Sequence, residues 1–254
     1  VAAPAGAAPA HLYWAGYGNG TIGRSNLDGA HARPNFITGG VTPCGDLAVD
    51  SAHVYWSDYG TDTIGRANLD GSHVRQNFIA NANGPCGIAV HAGVLYWTNY
   101  SNGTIGRARA DGTHVNESFI TEGSDLCGIA AGQGHLYWGD DYSTIVRANL
   151  DGTHVRQNFI PSAGSCYGVD VNAKHLYWTN YEGNTTGRAR LDGTHVNQNF
   201  IPGGNYACGL AITSTKIYWG NYADGEIGRA NLDGGNVRQS FVSNAPLNCG
   251  LGIG

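Results

Sequence analysis

The chain has 254 residues, 40 of them glycine, with 13% charged side chains and a formal net charge of −5 at pH 7. Only two lysines occur, Lys174 and Lys216, and there is no basic stripe to neutralise phosphates, which argues against a nucleic-acid partner. No apolar run approaches the roughly 20 residues that span a bilayer.

Residues 1–10 read Val-Ala-Ala-Pro-Ala-Gly-Ala-Ala-Pro-Ala, a composition common just after a removed leader, and methionine is absent. A secreted, extracellular protein is therefore expected. Tails of this kind are mobile unless something holds them. The expectation is that residues 1–10 dock on a second copy and build a homo-oligomer or filament, the alternative being a tail folded back on its own domain.

From residue 11 to 254 one pattern recurs. Tyr-Trp appears at Tyr13-Trp14, Tyr55-Trp56, Tyr96-Trp97, Tyr137-Trp138, Tyr177-Trp178 and Tyr218-Trp219, at intervals of 42, 41, 41, 40 and 41 residues. A period in this range marks a solenoid or a propeller. Within one copy, Cys86–Val90 is a short apolar run that predicts a buried strand, His91–Gly93 a turn, and Val94–Thr98 a second strand rich in aromatic and β-branched residues. Residues Asn99–Gly103 predict a loop and Thr104–Ala108 a third strand. Asp111-Gly112 is a hairpin signal, because glycine readily takes the positive φ such turns require, and Val115–Ile120 predicts a fourth strand. Four antiparallel strands per unit describe a propeller blade. The first Tyr-Trp strand has no inner strand before it, and the chain stops at Cys249-Gly-Leu-Gly-Ile-Gly254 with no Tyr-Trp after it. The prediction is an all-β, six-bladed β-propeller over 11–254, closed by the C-terminal strand pairing with the N-terminal Tyr-Trp strand.

Tyr-Trp-Ser-Asp, Tyr-Trp-Thr-Asn and the recurrent Ile-Gly-Arg-Ala-Asn-Leu-Asp-Gly resemble the YWTD repeat, the class B repeat of the low-density lipoprotein receptor family. The resemblance covers all six copies, although the first reads Tyr13-Trp14-Ala15-Gly16. It implies a six-bladed propeller and, in the receptors, a non-enzymatic binding domain. Free-standing bacterial relatives have diverse roles, so function transfers poorly with the fold.

Most repeated residues read as scaffold. The six tryptophans are expected to pack between blades. Arg24, Arg66, Arg107, Arg147, Arg188 and Arg229 are expected to stack on aromatic rings or pair with carboxylates. Asp28, Asp70, Asp111, Asp151, Asp192 and Asp233 form the Asp-Gly turns.

The register assigns residues to two faces. The turns between strands one and two carry His11, His53, His91, His135 and His175, and the Asp-Gly turns carry His31, His73, His114, His154 and His195. All ten histidines fall on one face, the lower. They read either as duplicated turn residues or as a face that charges as pH falls or collects metal ions. The upper face takes Cys44, Cys86, Cys127, Cys166, Cys208 and Cys249, one per blade. Three readings compete for them: free thiols packed between blades, disulfides between neighbours, and a ring holding a metal ion. Tyr17, Tyr59, Tyr100, Tyr142, Tyr181 and Tyr222 follow the Tyr-Trp motif at near-constant offset, beside Asp58, Asn99, Asp140, Asp141, Asn180 and Asn221. Aromatic rims with neutral amides suit protein or carbohydrate ligands, and loop packing without a ligand is the alternative. The blade-entry loops vary more and add Asp46, Glu122, Asp125, Tyr167 and Tyr206, and the least repetitive candidates for a catalytic site are Asp46, Glu122, Asp125, Tyr167 and Lys216.

No nucleophile elbow, His-Glu-x-x-His or phosphate loop is present. The sequence therefore reads as a secreted, non-catalytic propeller acting as a binding or self-assembly module, with no cofactor. A propeller enzyme of lyase or hydrolase type, with its site at the channel mouth, is the alternative. Metal binding at the cysteine ring or in the channel is third.

Overall fold

The computed structural model describes residues 10–16, 20–38, 46–123, 125–140, 143–245 and 248–254. Its strands are β1 (His11–Gly16), β2 (Thr21–Asn26), β3 (Arg33–Thr38), β4 (Leu47–Val49), β5 (His53–Asp58), β6 (Thr63–Asn68), β7 (Arg75–Ala80) and β8 (Pro85–His91). There follow β9 (Val94–Asn99), β10 (Thr104–Arg109), β11 (Asn116–Thr121), β12 (Cys127–Gly132), β13 (His135–Gly139), β14 (Ile145–Asn149), β15 (Arg156–Ile160) and β16 (Val169–Val171). The last are β17 (His175–Asn180), β18 (Thr185–Arg190), β19 (Asn197–Pro202), β20 (Ala207–Ile212), β21 (Lys216–Asn221), β22 (Glu226–Asn231), β23 (Arg238–Val242) and β24 (Asn248–Ile253).

These strands form six antiparallel four-stranded sheets, the blades of a propeller. Blade 1 has the order β24-β1-β2-β3, and blades 2 to 6 follow as β4–β7, β8–β11, β12–β15, β16–β19 and β20–β23. The C-terminal strand therefore supplies the inner strand of the first blade, with Trp14 opposite Leu251, and His11 N donates to Gly254 O at 2.7 Å. Closure ties both ends of the ring into one sheet, so the Tyr-Trp strand β1 is paired on both sides. The tail prediction falls on residues that, except Ala10, lie outside the described ones.

The core lies between blades. Every Tyr-Trp tryptophan is 0–1% exposed. Trp178 of blade 5 packs with Tyr137, Ile145 and Phe159 of blade 4, and Trp97 of blade 3 packs with Tyr55, Ile64 and Phe78 of blade 2. Each indole buries on the order of 200 Å², which at about 25 cal/mol per Å² favours folding by at most about 5 kcal/mol.

A second contact repeats around the ring. The six arginines lie over the phenylalanines of their own blades, from 3.9 Å at Arg229–Phe241 to 5.0 Å at Arg107–Phe119. Each ring also meets the Asp-Gly turn of the next blade. Gly112, at φ +88, brings its backbone against Phe78, so any side chain there would press on the ring. Tyr13 Oη and Arg24 Nη1 both donate to Leu69 O of blade 2 at 3.1 Å. The arginine, turn and tryptophan motifs are thus the means by which identical blades hold one another.

Candidate functional site

Each inner strand runs from the upper face to the lower, so the lower face carries the two tight turns of every blade and the upper face the longer loops. No lysine or arginine occurs in any upper loop, and all 14 such residues lie in the strands or on the lower side. Asp62, Glu122, Asp125, Asp140, Glu182 and Asp224 do lie in upper loops, giving that face an acidic character.

The upper tyrosines are not an even ring. Tyr181, in the loop after β17, is a hub: its ring centroid lies 5.0 Å from Tyr167, 4.9 Å from Tyr206 and 6.2 Å from Tyr222. Tyr167 and Tyr206 come from the loops entering blades 5 and 6, and are 38% and 45% exposed. Tyr59 and Tyr100 form a separate edge-to-face pair at 6.0 Å. Tyr17, Tyr142 and Asp141 lie outside the described residues.

The polar residues beside these tyrosines work inside the loops. Asp58, Asn99 and Asn221 are buried. Asp58 Oδ1 accepts from Thr61 N at 3.2 Å, and Asn99 Nδ2 donates to Thr104 Oγ1 at 2.9 Å. Asp140 accepts from Thr144 N at 2.9 Å and Asn180 from Gly183 N at 2.8 Å. Asn221 accepts from Asn205 N at 3.2 Å. They shape the loops that present the tyrosines.

The described cysteines stand at the upper starts of the inner strands or just before them. Cys208 and Cys249 form a disulfide between blades 6 and 1, with Cα atoms 5.0 Å apart, inside the range that bridging tolerates. Cys86, Cys127 and Cys166 are buried, and Cys44 lies outside the described residues. A pocket beside the tyrosine hub is lined by Tyr100, Asp125, Cys127, Asp140, Cys166 and Tyr167, among others.

The central channel holds a cavity of about 190 Å³ lined mainly by alanine, valine, leucine and isoleucine. Two carboxyl groups interrupt it, Asp46 in blade 2 and Asp170 in blade 5. Asp170 pairs with Tyr177 across its ladder, where the other blades place Ala48, Ala89, Ala130, Ala211 and Gly252 opposite their tyrosines. Val171 N and Ile212 N donate to Asp170 at 2.7 and 2.9 Å, yet desolvation in the channel wall pushes its carboxyl up to about 7. Asp46 accepts from Leu47 N at 3.0 Å and Leu251 N at 3.2 Å. Burial, with the Asp170 charge adding to it, raises Asp46 well above the usual carboxylate range. The sequence reading missed Asp170. The signal was available as the one carboxylate in a column of small residues.

On the lower face, His31, His73, His114, His154 and His195 adopt left-handed backbone at φ 53–56°. Asn68 Nδ2 donates to His73 Nδ1 at 3.0 Å, and Asn149 Nδ2 to His154 Nδ1 at 3.0 Å, so these rings close their own turns. His11, His53, His135 and His175 sit at the starts of β1, β5, β13 and β17, each near the Tyr two residues on at ring distances of 5.8–6.3 Å. Burial first, and then Arg24 or Arg188, lowers the imidazoles of His11 and His175, which works against charging at those two positions. Among the described residues no group of three or more His, Cys, Asp or Glu has metal-site geometry.

Residues 52–92 match the family model for low-density lipoprotein receptor repeat class B. The chain thus carries the YWTD repeat on a six-bladed propeller. A chain of the nidogen/laminin complex superposes with a TM-score of 0.82 at 22% identity, covering 96% of this chain and 98% of that one. Virginiamycin B lyase from Staphylococcus aureus, in a catalytically inactive H270A form with quinupristin, superposes at 0.64 and 19% identity over 87% and 77%. A streptogramin B lyase gives 0.59 and 14% over 90% and 72%. These likenesses are of fold. No curated protein matches the chain in sequence. No helix among the described residues is long and apolar enough to cross a membrane.

Proposed function

We propose that this YWTD-type propeller is a secreted protein-binding module whose upper face, centred on Tyr181, receives a partner with a basic surface. The observation that carries the reading is the hub of Tyr167, Tyr181, Tyr206 and Tyr222 on a face whose loops contain no lysine or arginine. Clustered tyrosines supply contact area at small entropic cost and are enriched at interface centres. An acidic surround steers basic partners. The superposable chain crystallised within a nidogen/laminin complex supports a protein ligand over a carbohydrate. The Cys208–Cys249 disulfide supports an oxidising, extracellular setting. Self-assembly through residues 1–10 belongs to the same reading, with loss of mass in light scattering on their removal as its test.

The test of the binding face uses immobilised protein and an extracellular protein fraction at two salt concentrations. The wild type retains a partner less well at high salt, and Tyr181→Ala/Tyr206→Ala loses roughly tenfold or more in affinity, as a central hot spot would. Equal retention by wild type and double variant would sink the proposal. A second reading, an enzyme of lyase or hydrolase type, is favoured by the two channel carboxyl groups, Asp46 and Asp170, on a fold that superposes on two lyases. Asp170→Asn abolishing a turnover that Tyr181→Ala leaves intact would favour it.

A further inference from the structure

Cys86 and Cys127 occupy the same position in blades 3 and 4 that Cys208 and Cys249 occupy in blades 6 and 1, and both pairs are 41 residues apart. Their sulfurs stand 2.8 Å apart, closer than two non-bonded sulfurs pack, with both side chains buried. We propose that Cys86 and Cys127 form a second inter-blade disulfide, and that Cys44 and Cys166 remain as thiols.

The second half of this statement follows from the ring. Cys166, in blade 5, has Cys127 and Cys208 as its neighbours, and both are committed elsewhere. Its sulfur instead lies 3.4 Å from Ala163 O within its own entry loop. By the sequence repeat Cys44 belongs to blade 2, between Cys249 and Cys86, which are likewise committed. Three neighbour disulfides, which six evenly repeated cysteines would suggest, are replaced by two staples, across blades 6–1 and 3–4. Blades 2 and 5 stand between them, and these are also the blades with the short inner strands Leu47–Val49 and Val169–Val171.

Closing the bond removes two protons and two electrons from the two thiols. The oxidant is a disulfide, of a thiol oxidoreductase or of oxidised glutathione, which leaves as two thiols through a mixed-disulfide step. The neighbouring Cys127 sulfur and then burial hold the Cys86 thiol well above its usual range, so exchange belongs to folding, before the mouth of the channel closes. The pairing also leaves too few sulfurs for a six-cysteine metal ring.

The sequence makes the test clean, because cleavage after Lys and Arg puts every cysteine on its own peptide: Cys86 in 76–107 and Cys127 in 110–147, for example. The full chain is refolded in a glutathione redox buffer, denatured, alkylated without reductant, digested and mapped by mass spectrometry. The expected result is a 76–107/110–147 cross-link, a second cross-link joining the Cys208 and Cys249 peptides, and alkylation at Cys44 and Cys166. Alkylated Cys86 and Cys127, or a cross-link from either to Cys44 or Cys166, would overturn the proposal. Cys166→Ser is expected to leave both cross-links in place.

Discussion

Gly65 lies directly opposite Trp56 across the β5–β6 ladder, and a Cβ built on Gly65 would fall inside the indole. The same pairing joins Gly23 to Trp14, Gly106 to Trp97, Gly187 to Trp178 and Gly228 to Trp219. In blade 4 the partner of Trp138 is Val146 instead. The glycine that precedes the stacking arginine in these five blades is thus the floor on which the Tyr-Trp indole lies.

Gly65→Val is expected to destabilise the propeller by about 3 kcal/mol, at the upper end of overpacking costs, because the indole is walled in by blade 1 and cannot move aside. Chemical denaturation measures this. Val146→Gly should cost less, about 1–2 kcal/mol for lost apolar contact, and equal losses at both sites would contradict the assignment.

Glu117 stands where the other blades place Gln76, Gln157, Gln198, Gln239 and Pro34. Burial raises its carboxyl to about 7. A folded-state value above the unfolded one makes the native state the stronger proton binder, so stability falls as pH rises from about 4.5 to 7. Glu117→Gln should flatten that slope and stabilise the protein at pH 8 by about 1–2 kcal/mol, a figure reduced for partial solvent screening. Thermal melts at pH 4.5 and pH 8 check it, and unchanged slopes would count against it.

Asp170 obeys the same sign rule, its half-buried carboxyl being raised to about 7. Its contribution is complete near pH 4 and lost by about pH 7. Asp170→Asn is expected to gain on the order of 2 kcal/mol at pH 8 and little at pH 4. It also removes part of what raises Asp46. Loss of stability at both pH values would show that the amide cannot replace the carboxyl's bonds to Val171 and Ile212.

Reducing the Cys208–Cys249 bond opens a loop with a sequence separation of 41. Loop-closure entropy for that length is about 4 kcal/mol. Cys208→Ser/Cys249→Ser should lower the midpoint of denaturation accordingly, and an unchanged midpoint would mean that blade packing alone holds the ring shut.

Each tyrosine of the hub contributes to one surface, so truncations there should be non-additive in binding while leaving folding intact. Tyr206, 45% exposed, is the cleanest site: Tyr206→Ala should change the melting temperature little and weaken partner retention. A large loss of stability would instead mark it as a packing residue.

The repeat spacing by itself determined the six blades, their four strands and the closure by Cys249–Gly254, because the Tyr13-Trp14 strand lacks an inner partner and the Cys249–Gly254 strand supplies one. Alternation and turn chemistry are local, so the strand predicted at Val115–Ile120 appears at Asn116–Thr121 and the arginines were recognisable as stacking residues. The register also assigned the cysteines and histidines to opposite faces. What it could not decide was anything that breaks the six-fold pattern. The pairing of Cys208 with Cys249, the clustering of three tyrosines on Tyr181, and the convergence of Asp46 and Asp170 on one channel all depend on how individual loops and inner strands settle against neighbouring blades. A repeat specifies the contacts that every blade shares. The site arises where blades differ, and those differences act only once the ring has brought them together.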